Sequence, residues 1–189
     1  MKQKEIKRDI KVVNIVVSTS LKHDIPLEKM AATLSNTEYN PEQFPGLVIR
    51  IKEPKTSALI FSSGKVVCTG ARSMDKVEES IRKIIKSLEK IGIRITIKPE
   101  IKIQNIVASG TVGMDLNLNT LAMKLSNTEY EPEQFPGLVY KLVDGNVKAT
   151  FLLFSNGKVV CTGTKSEQEV NKSLDKLVEN LKKASAKNG

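Results

Sequence analysis

The 189-residue sequence predicts an α+β protein built from two tandem copies of one antiparallel unit, and three observations predict it. Residues 35–48, SNTEYNPEQFPGLV, return at 126–139 as SNTEYEPEQFPGLV, with only Asn40 and Glu131 different. FSSGKVVCTG from Phe61 returns as FSNGKVVCTG from Phe154, and Asn14-Ile15-Val16 returns as Asn105-Ile106-Val107. The offsets, 91 and 93 residues, are too long for a solenoid repeat and suit a duplicated subdomain. Finally, β-branched stretches of period two alternate with stretches of helical period. The expected units are residues 1–92 and 93–189, related by an approximate two-fold axis.

Residues 10–20, IKVVNIVVSTS, read as a strand. Alternation puts Asn14, Val16 and Ser18 on one face and Val13, Ile15 and Val17 on the other. DIPLEKMAATL reads as a short helix with Asp24 as N-cap and Pro26 in its first turn. SNTEY is a short strand, and NPEQFPG is a loop. GLVIRIKEPKTSALIFSSGKVVCTG supplies three antiparallel strands. In the second copy Asp144-Gly145 is a two-residue hairpin signal. A turn centred there sets Phe135 opposite Phe154. In the first copy the same pairing, Phe44 with Phe61, puts the turn at Lys52-Glu53, in a hairpin two residues shorter. Lys65, Val67 and Thr69 then share a face, with Val66 and Cys68 on the other.

Ser73 caps a helix that runs to about Ile91, with Gly92 as its stop. Its stripe of Val77, Ile81, Ile84, Ile85 and Leu88 recurs as Val170, Leu174, Leu177, Val178 and Leu181. Such stripes are core packing. Arg82, Lys83, Lys86 and Lys90 lie on the opposite face, solvated or against an acidic partner. IRITIKPEIKIQNIVASGTV reads as a linker strand followed by the second-copy strand, and the tail KKASAKNG reads as frayed.

Composition narrows the class. Forty per cent hydrophobic residues are ample for a core, and a net charge of +9 suits an anionic partner, nucleic acid before a membrane surface. No apolar run reaches the ~20 residues of a membrane helix. The start, MKQKEIKRDIK, lacks the apolar core of a signal peptide, so an intracellular location is expected. Cys68 and Cys161 are repeat mates and read as small core residues. His23 is the sole histidine, so no zinc constellation can form. Neither a metal nor a cofactor is expected.

Two copies can form one continuous antiparallel sheet with both long helices on a single face. The other face then carries Asn14, Val16, Leu59, Phe61, Val67 and Thr69 in one copy. Asn105, Val107, Leu152, Phe154, Val160 and Thr162 match them in the second. An apolar surface with only asparagine and threonine as polar points marks a binding site. It does not suit the major groove, which calls for Arg, Asn or Gln against base edges. A minor groove of A·T pairs has acceptors and no exocyclic amino group, so an apolar floor can lie against it. The asparagines can donate to those acceptors, and phenylalanines at the ends can wedge between base steps.

At these residues the sequence resembles the TATA-box-binding protein family, in its archaeal form, over residues 10 to 182. The duplicated EYxPExFPGLV and FSxGKVVxTG stretches carry the resemblance. It implies a saddle: one curved antiparallel sheet with helices on the convex side. It also implies a transcription initiation factor that binds the TATA box, kinks it, and recruits transcription factor B and, indirectly, RNA polymerase. Phe44 and Phe61 match the wedging pair at one end, Phe135 and Phe154 that at the other, with Pro45 and Pro136 beside them. Asn14, Asn105, Thr69 and Thr162 match the central hydrogen bonders. Val16, Val67, Val107, Val160, Leu59 and Leu152 match the apolar floor. Arg50 matches a phosphate-contacting arginine, and its mate Lys141 keeps the charge without the bidentate fork. Glu131, Glu133 and Gln134 match the loop offered to transcription factor B, where the first copy has Asn40 for Glu131. The implied location is the archaeal cytoplasm, on the nucleoid, or a eukaryotic nucleus. The free protein could also associate with itself through the apolar face.

Three other functions compete. Catalysis calls for paired carboxylates, a nucleophile with its base, or a phosphate-cradling glycine loop, and none is present. A sheet that stacks single-stranded RNA would place its aromatics at the centre, whereas here they lie at the ends. A protein scaffold would bind no DNA.

Overall fold

The computed structural model describes residues 9–186. The first copy runs β1 (Asp9–Ser20), α1 (Leu27–Thr33), β2 (Thr37–Glu38), β3 (Leu47–Ile51), β4 (Thr56–Ile60), β5 (Lys65–Ala71) and α2 (Met74–Lys90). The second repeats that order as β6 (Lys102–Thr111), α3 (Leu118–Lys124), β7 (Thr128–Glu129), β8 (Leu138–Asp144), β9 (Val147–Leu153), β10 (Lys158–Thr164) and α4 (Glu167–Ser185). The α+β reading of two tandem antiparallel units holds. One compact unit comprises Asn14–Gln104, and the remaining described residues form the other.

In the first unit the strands pair antiparallel in the order β2-β3-β4-β5-β1. Strand alternation sorts them into two faces. Ile15, Val17, Ile49, Ala58, Ile60, Val66 and Cys68 are buried, and so are Val77, Ile81, Ile84 and Leu88 of α2. The apolar stripe of α2 packs on that face, which fixes the helix to one side. Ile85 completes the stripe but is only half-buried. The second unit has the order β6-β10-β9-β8-β7. Its core joins Ile106, Leu138, Phe151, Leu153, Val159 and Cys161 to Val170, Leu174, Leu177, Val178 and Leu181 of α4. Burial pushes the thiols of Cys68 and Cys161 up to about 11.

Local chemistry explains the helix boundaries. The Ser73 side chain accepts from the Lys76 N–H and Ser166 from Glu169, so both long helices begin at a serine cap. Gly92, at φ 86°, follows α2 in the left-handed conformation that stops a helix.

Several expectations need correction. Pro26, not Asp24, is the N-cap residue of α1, and no side chain caps it; its mate Asn117 does cap α3. Residues 92–101 form no strand, so the expected linker strand is irregular chain. Helix α4 runs through Ser185, so the tail is helical over much of its expected frayed length; residues 187–189, like residues 1–8 of the charged start, lie outside the described residues. The hairpin register also shifts by two. Asp144 pairs with Val147, so Gly145-Asn146 is the turn. Only Gly145 there has positive φ, 58°, as in a turn with glycine at its first central position. In the first copy Ile51 pairs with Thr56, leaving the four residues 52–55 as the turn. The hairpin is two residues shorter, as expected, but its pairs are different ones.

Candidate nucleic-acid interface

The corrected register decides what lies on the face opposite α2. Val48 pairs with Leu59, Leu59 with Val67, and Val67 with Ser18, giving one row across four strands. Arg50, Ser57 and Thr69 give the next row. In the second unit the rows are Val139, Leu152, Val160 and Ser109, then Lys141, Thr150 and Thr162. Val16 and Val107 lie on these same faces. All of these apolar residues are half-buried, neither sealed in the core nor fully in water. The alternation also assigns Val48, Val139, Ser57 and Thr150 to the site. Sequence reasoning missed them, although Val48 has the same strand parity as Arg50 and was open to inference.

The phenylalanine pairs meet, but not by cross-strand pairing. The register carries Gly46 to the place opposite Phe61, and Gly137 to the place opposite Phe154. The turn before β3 brings the other ring back: the Phe44 N–H donates to the Asn40 carbonyl, and Phe135 to Glu131. The rings then stand edge to face, with centroids 6.0 Å apart in each unit. A Cβ on Gly46 would lie 2.7 Å from Phe44 Cε1 and 3.1 Å from Phe61 Cε1, and Gly137 repeats both distances. Glycine is therefore what lets the two rings close over the strand. Phe44 and Phe135 remain 44% and 45% exposed, which is unusual for rings that could have been buried. Pro45 and Pro136 stand exposed beside them.

The asparagines are held in place. A bulge in the β1–β5 pairing gives Gly70 a φ of 100° and frees its N–H. Asn14 Oδ1 accepts that N–H at 2.7 Å, and Asn14 Nδ2 donates to Thr69 Oγ1 at 3.0 Å. The backbone donor settles which end of the amide is oxygen. The second Nδ2 proton has no hydrogen-bond partner among the described residues. Asn105 repeats this with Gly163 at 2.8 Å and Thr162 at 2.9 Å, beside a bulge in the β6–β10 pairing.

Charge sits at the margins. Arg50 Nη1 lies 3.2 Å from Glu38 Oε2, with both side chains largely in water. Such an exposed pair is weak and exchangeable. Lys141, its mate, is exposed. Glu131, Glu133 and Gln134 are exposed on the loop before β8. Among the described residues no group of three metal-ligating side chains converges, and no helix is long and apolar enough to cross a membrane.

A protein-family model described as transcription factor TFIID (or TATA-binding protein, TBP) matches residues 9–91 and 100–184. The chain belongs to the TATA-box-binding protein family. It is 52% identical over 174 residues to the TATA-box-binding protein of Methanocaldococcus jannaschii, covering 92% of this chain and 94% of that one. It is 49% identical over 175 residues to that of Archaeoglobus fulgidus, with the same two coverages. The solved structure titled Methanococcus jannaschii TBP superposes with a TM-score of 0.86 at 51% identity, over 93% of this chain and 99% of that one. TBP family members are DNA-binding transcription factors, not enzymes.

Proposed function

We propose that this chain initiates transcription by binding an A·T-rich promoter duplex through its minor groove with the open faces of both units. The half-buried apolar rows of each unit, with an oriented asparagine as their polar point, carry this reading. A guanine amino group would meet Val67 or Leu59 with no acceptor, whereas an A·T pair has none to bury. Asn14, Asn105, Thr69 and Thr162 hydrogen-bond the groove floor. Val16, Leu59, Val67, Val107, Leu152 and Val160 cover it, joined by Val48 and Val139. Arg50 and Lys141 reach phosphates. Phe44 with Phe61, and Phe135 with Phe154, wedge base steps at the two ends and kink the duplex. Glu131, Glu133 and Gln134 offer a docking loop to transcription factor B, which brings RNA polymerase. The two copies divide the work as residues 1–92 and 93–189.

The test exchanges base pairs without changing the minor groove. Replacing T·A by I·C alters the major-groove pattern and leaves the minor groove without an amino group. Affinity should survive that exchange and fall on G·C substitution. Loss of affinity on I·C substitution would exclude minor-groove readout.

A further inference from the structure

In the second unit a hollow of about 420 Å³ lies between the start of β9, the end of β10 and the first turns of α4. None of the side chains that line it is assigned to the DNA face. Its walls are fixed. Lys176 Nζ lies 2.6 Å from Asp144 Oδ2, which ties the β8–β9 hairpin to α4. The Lys165 N–H donates to Glu169 Oε2 at 2.8 Å, which ties the end of β10 to the same helix.

The first copy shows what closes this place. There Thr56 Oγ1 and Ser80 Oγ lie 2.8 Å apart, Ser80 also donates to the Lys76 carbonyl, and Pro54 is buried next to Thr56. In the second copy Ser173 is the mate of Ser80, but Ala149 stands for Thr56 and Val147 for Pro54. Ser173 is 1% exposed, and its hydroxyl has no hydrogen-bond partner among the described residues. No sealed side-chain polar atom among those residues lacks a partner, so this hydroxyl opens into the hollow that it lines. A hydroxyl so deep costs free energy unless something bonds it.

The strand edge is open at the same place. Pairing of β9 with β10 ends at Thr150–Thr162, so residues 147–149 pair with β8 alone. In the first copy only Thr56 lies beyond the last β4–β5 pair, and the turn before it holds Pro54, which has no N–H to offer. A Cβ on Gly70 would lie 3.1 Å from the Lys55 carbonyl oxygen, whereas at Gly163 the nearest atom is 3.8 Å away. Charge selects the occupant. Lys148, Lys165 and Lys172 line the hollow with a single carboxylate, Glu169, and none of the three ammonium groups has an ion-pair partner among the described residues. Lys172 stands where the first copy has Glu79.

We propose that this hollow receives an extended acidic segment of a partner protein. The backbone of that segment pairs with the open edge at residues 147–149, as an added strand does. One of its side chains bonds Ser173 Oγ, as Thr56 bonds Ser80 within the first unit. Its carboxylates face the three lysines, which fix its identity more than its affinity.

The experiment measures fluorescence anisotropy of a labelled peptide of four Glu-Thr repeats, titrated with the whole chain. Two variants import residues of the first copy: Ala149→Thr gives Ser173 an internal partner, and Lys172→Glu reverses one charge on the rim. Each should weaken peptide binding roughly tenfold or more. Ala149→Thr should keep or raise the melting temperature, since it closes the hollow as the first unit does, and Lys172→Glu lies on an exposed helix face where the fold tolerates it. A peptide of four Lys-Thr repeats should not bind. Neither should one of four Glu-Pro repeats, which keeps the charge and lacks half of the N–H donors. Affinity of both variants for an A·T-rich duplex should equal that of the parent. No binding of the Glu-Thr peptide by the parent, or binding unchanged in both variants, would overturn the proposal. Equal binding of the Glu-Pro peptide would overturn strand addition and leave only charge attraction. Duplex affinity falling in step with peptide affinity would assign the hollow to DNA and overturn the protein partner.

Discussion

At Gly46 and Gly137 a missing methyl group decides where two aromatic rings can stand. The glycines let Phe44 and Phe135 fold back over the strand, so each ring pair is assembled before any ligand arrives. A preformed wedge has less ordering cost to meet on binding. Phe61→Ala and Phe154→Ala should thus reduce DNA bending more than nonspecific affinity, because wedges act at base steps and nonspecific affinity comes from phosphates. Fluorescence transfer between duplex ends reports the bend. Two variants that bend DNA as the parent does would remove the rings from the wedge role. The sequence reading named the phenylalanine pairs that do meet, but through a hairpin register that the structure shifts by two residues. It did not disclose the geometry, because Phe44 reaches Phe61 by a loop that turns back over a glycine rather than by direct pairing.

Among the elements, the paired strands and α2 were legible because alternation and the Ser73 cap are local signals, and α4 because it repeats the apolar stripe of α2, whereas the strand expected before β6 does not form. Asp24 misled because a cap needs its side chain within reach of the N–H two or three residues on, and the helix starts three residues after it, behind Pro26. Stability measurements separate the two positions. Ser73→Ala should lower unfolding free energy by about 1 kcal/mol, while Asp24→Ala should leave it near the parent value. A larger loss at Asp24 in urea titrations would show that it supports α1 by some other route. The hairpin register was not legible for a related reason. Asp-Gly and Gly-Asn overlap in one sequence, both are hairpin signals, and strand burial is unchanged by a register shift of two.

For the whole molecule, the proposed DNA faces of the two units are nearly the same, whereas the loops before β3 and β8 are not. Asn40 stands in one and Glu131 in the other, so the second loop has the greater acidity. Charge at an interface rim sets partner choice and orientation more than raw affinity. Glu131→Lys with Glu133→Lys should therefore leave DNA binding by this protein alone intact and impair recruitment of transcription factor B. A gel-shift assay with and without that factor would show both effects, and undiminished recruitment would remove the loop from the partner surface.

The bulges at Gly70 and Gly163 also provide two built-in spectroscopic labels. Each glycine N–H donates to an asparagine oxygen, Asn14 in one unit and Asn105 in the other. Glycine amide resonances are readily resolved, and these two belong to separate units. If the asparagines engage the duplex through Nδ2 while keeping their backbone bonds, both amides should exchange more slowly in the complex than in the free protein. Slowing at Gly70 alone, on a duplex truncated at one end, would show a single unit docked, so hydrogen exchange can follow the two halves of the protein as they engage DNA.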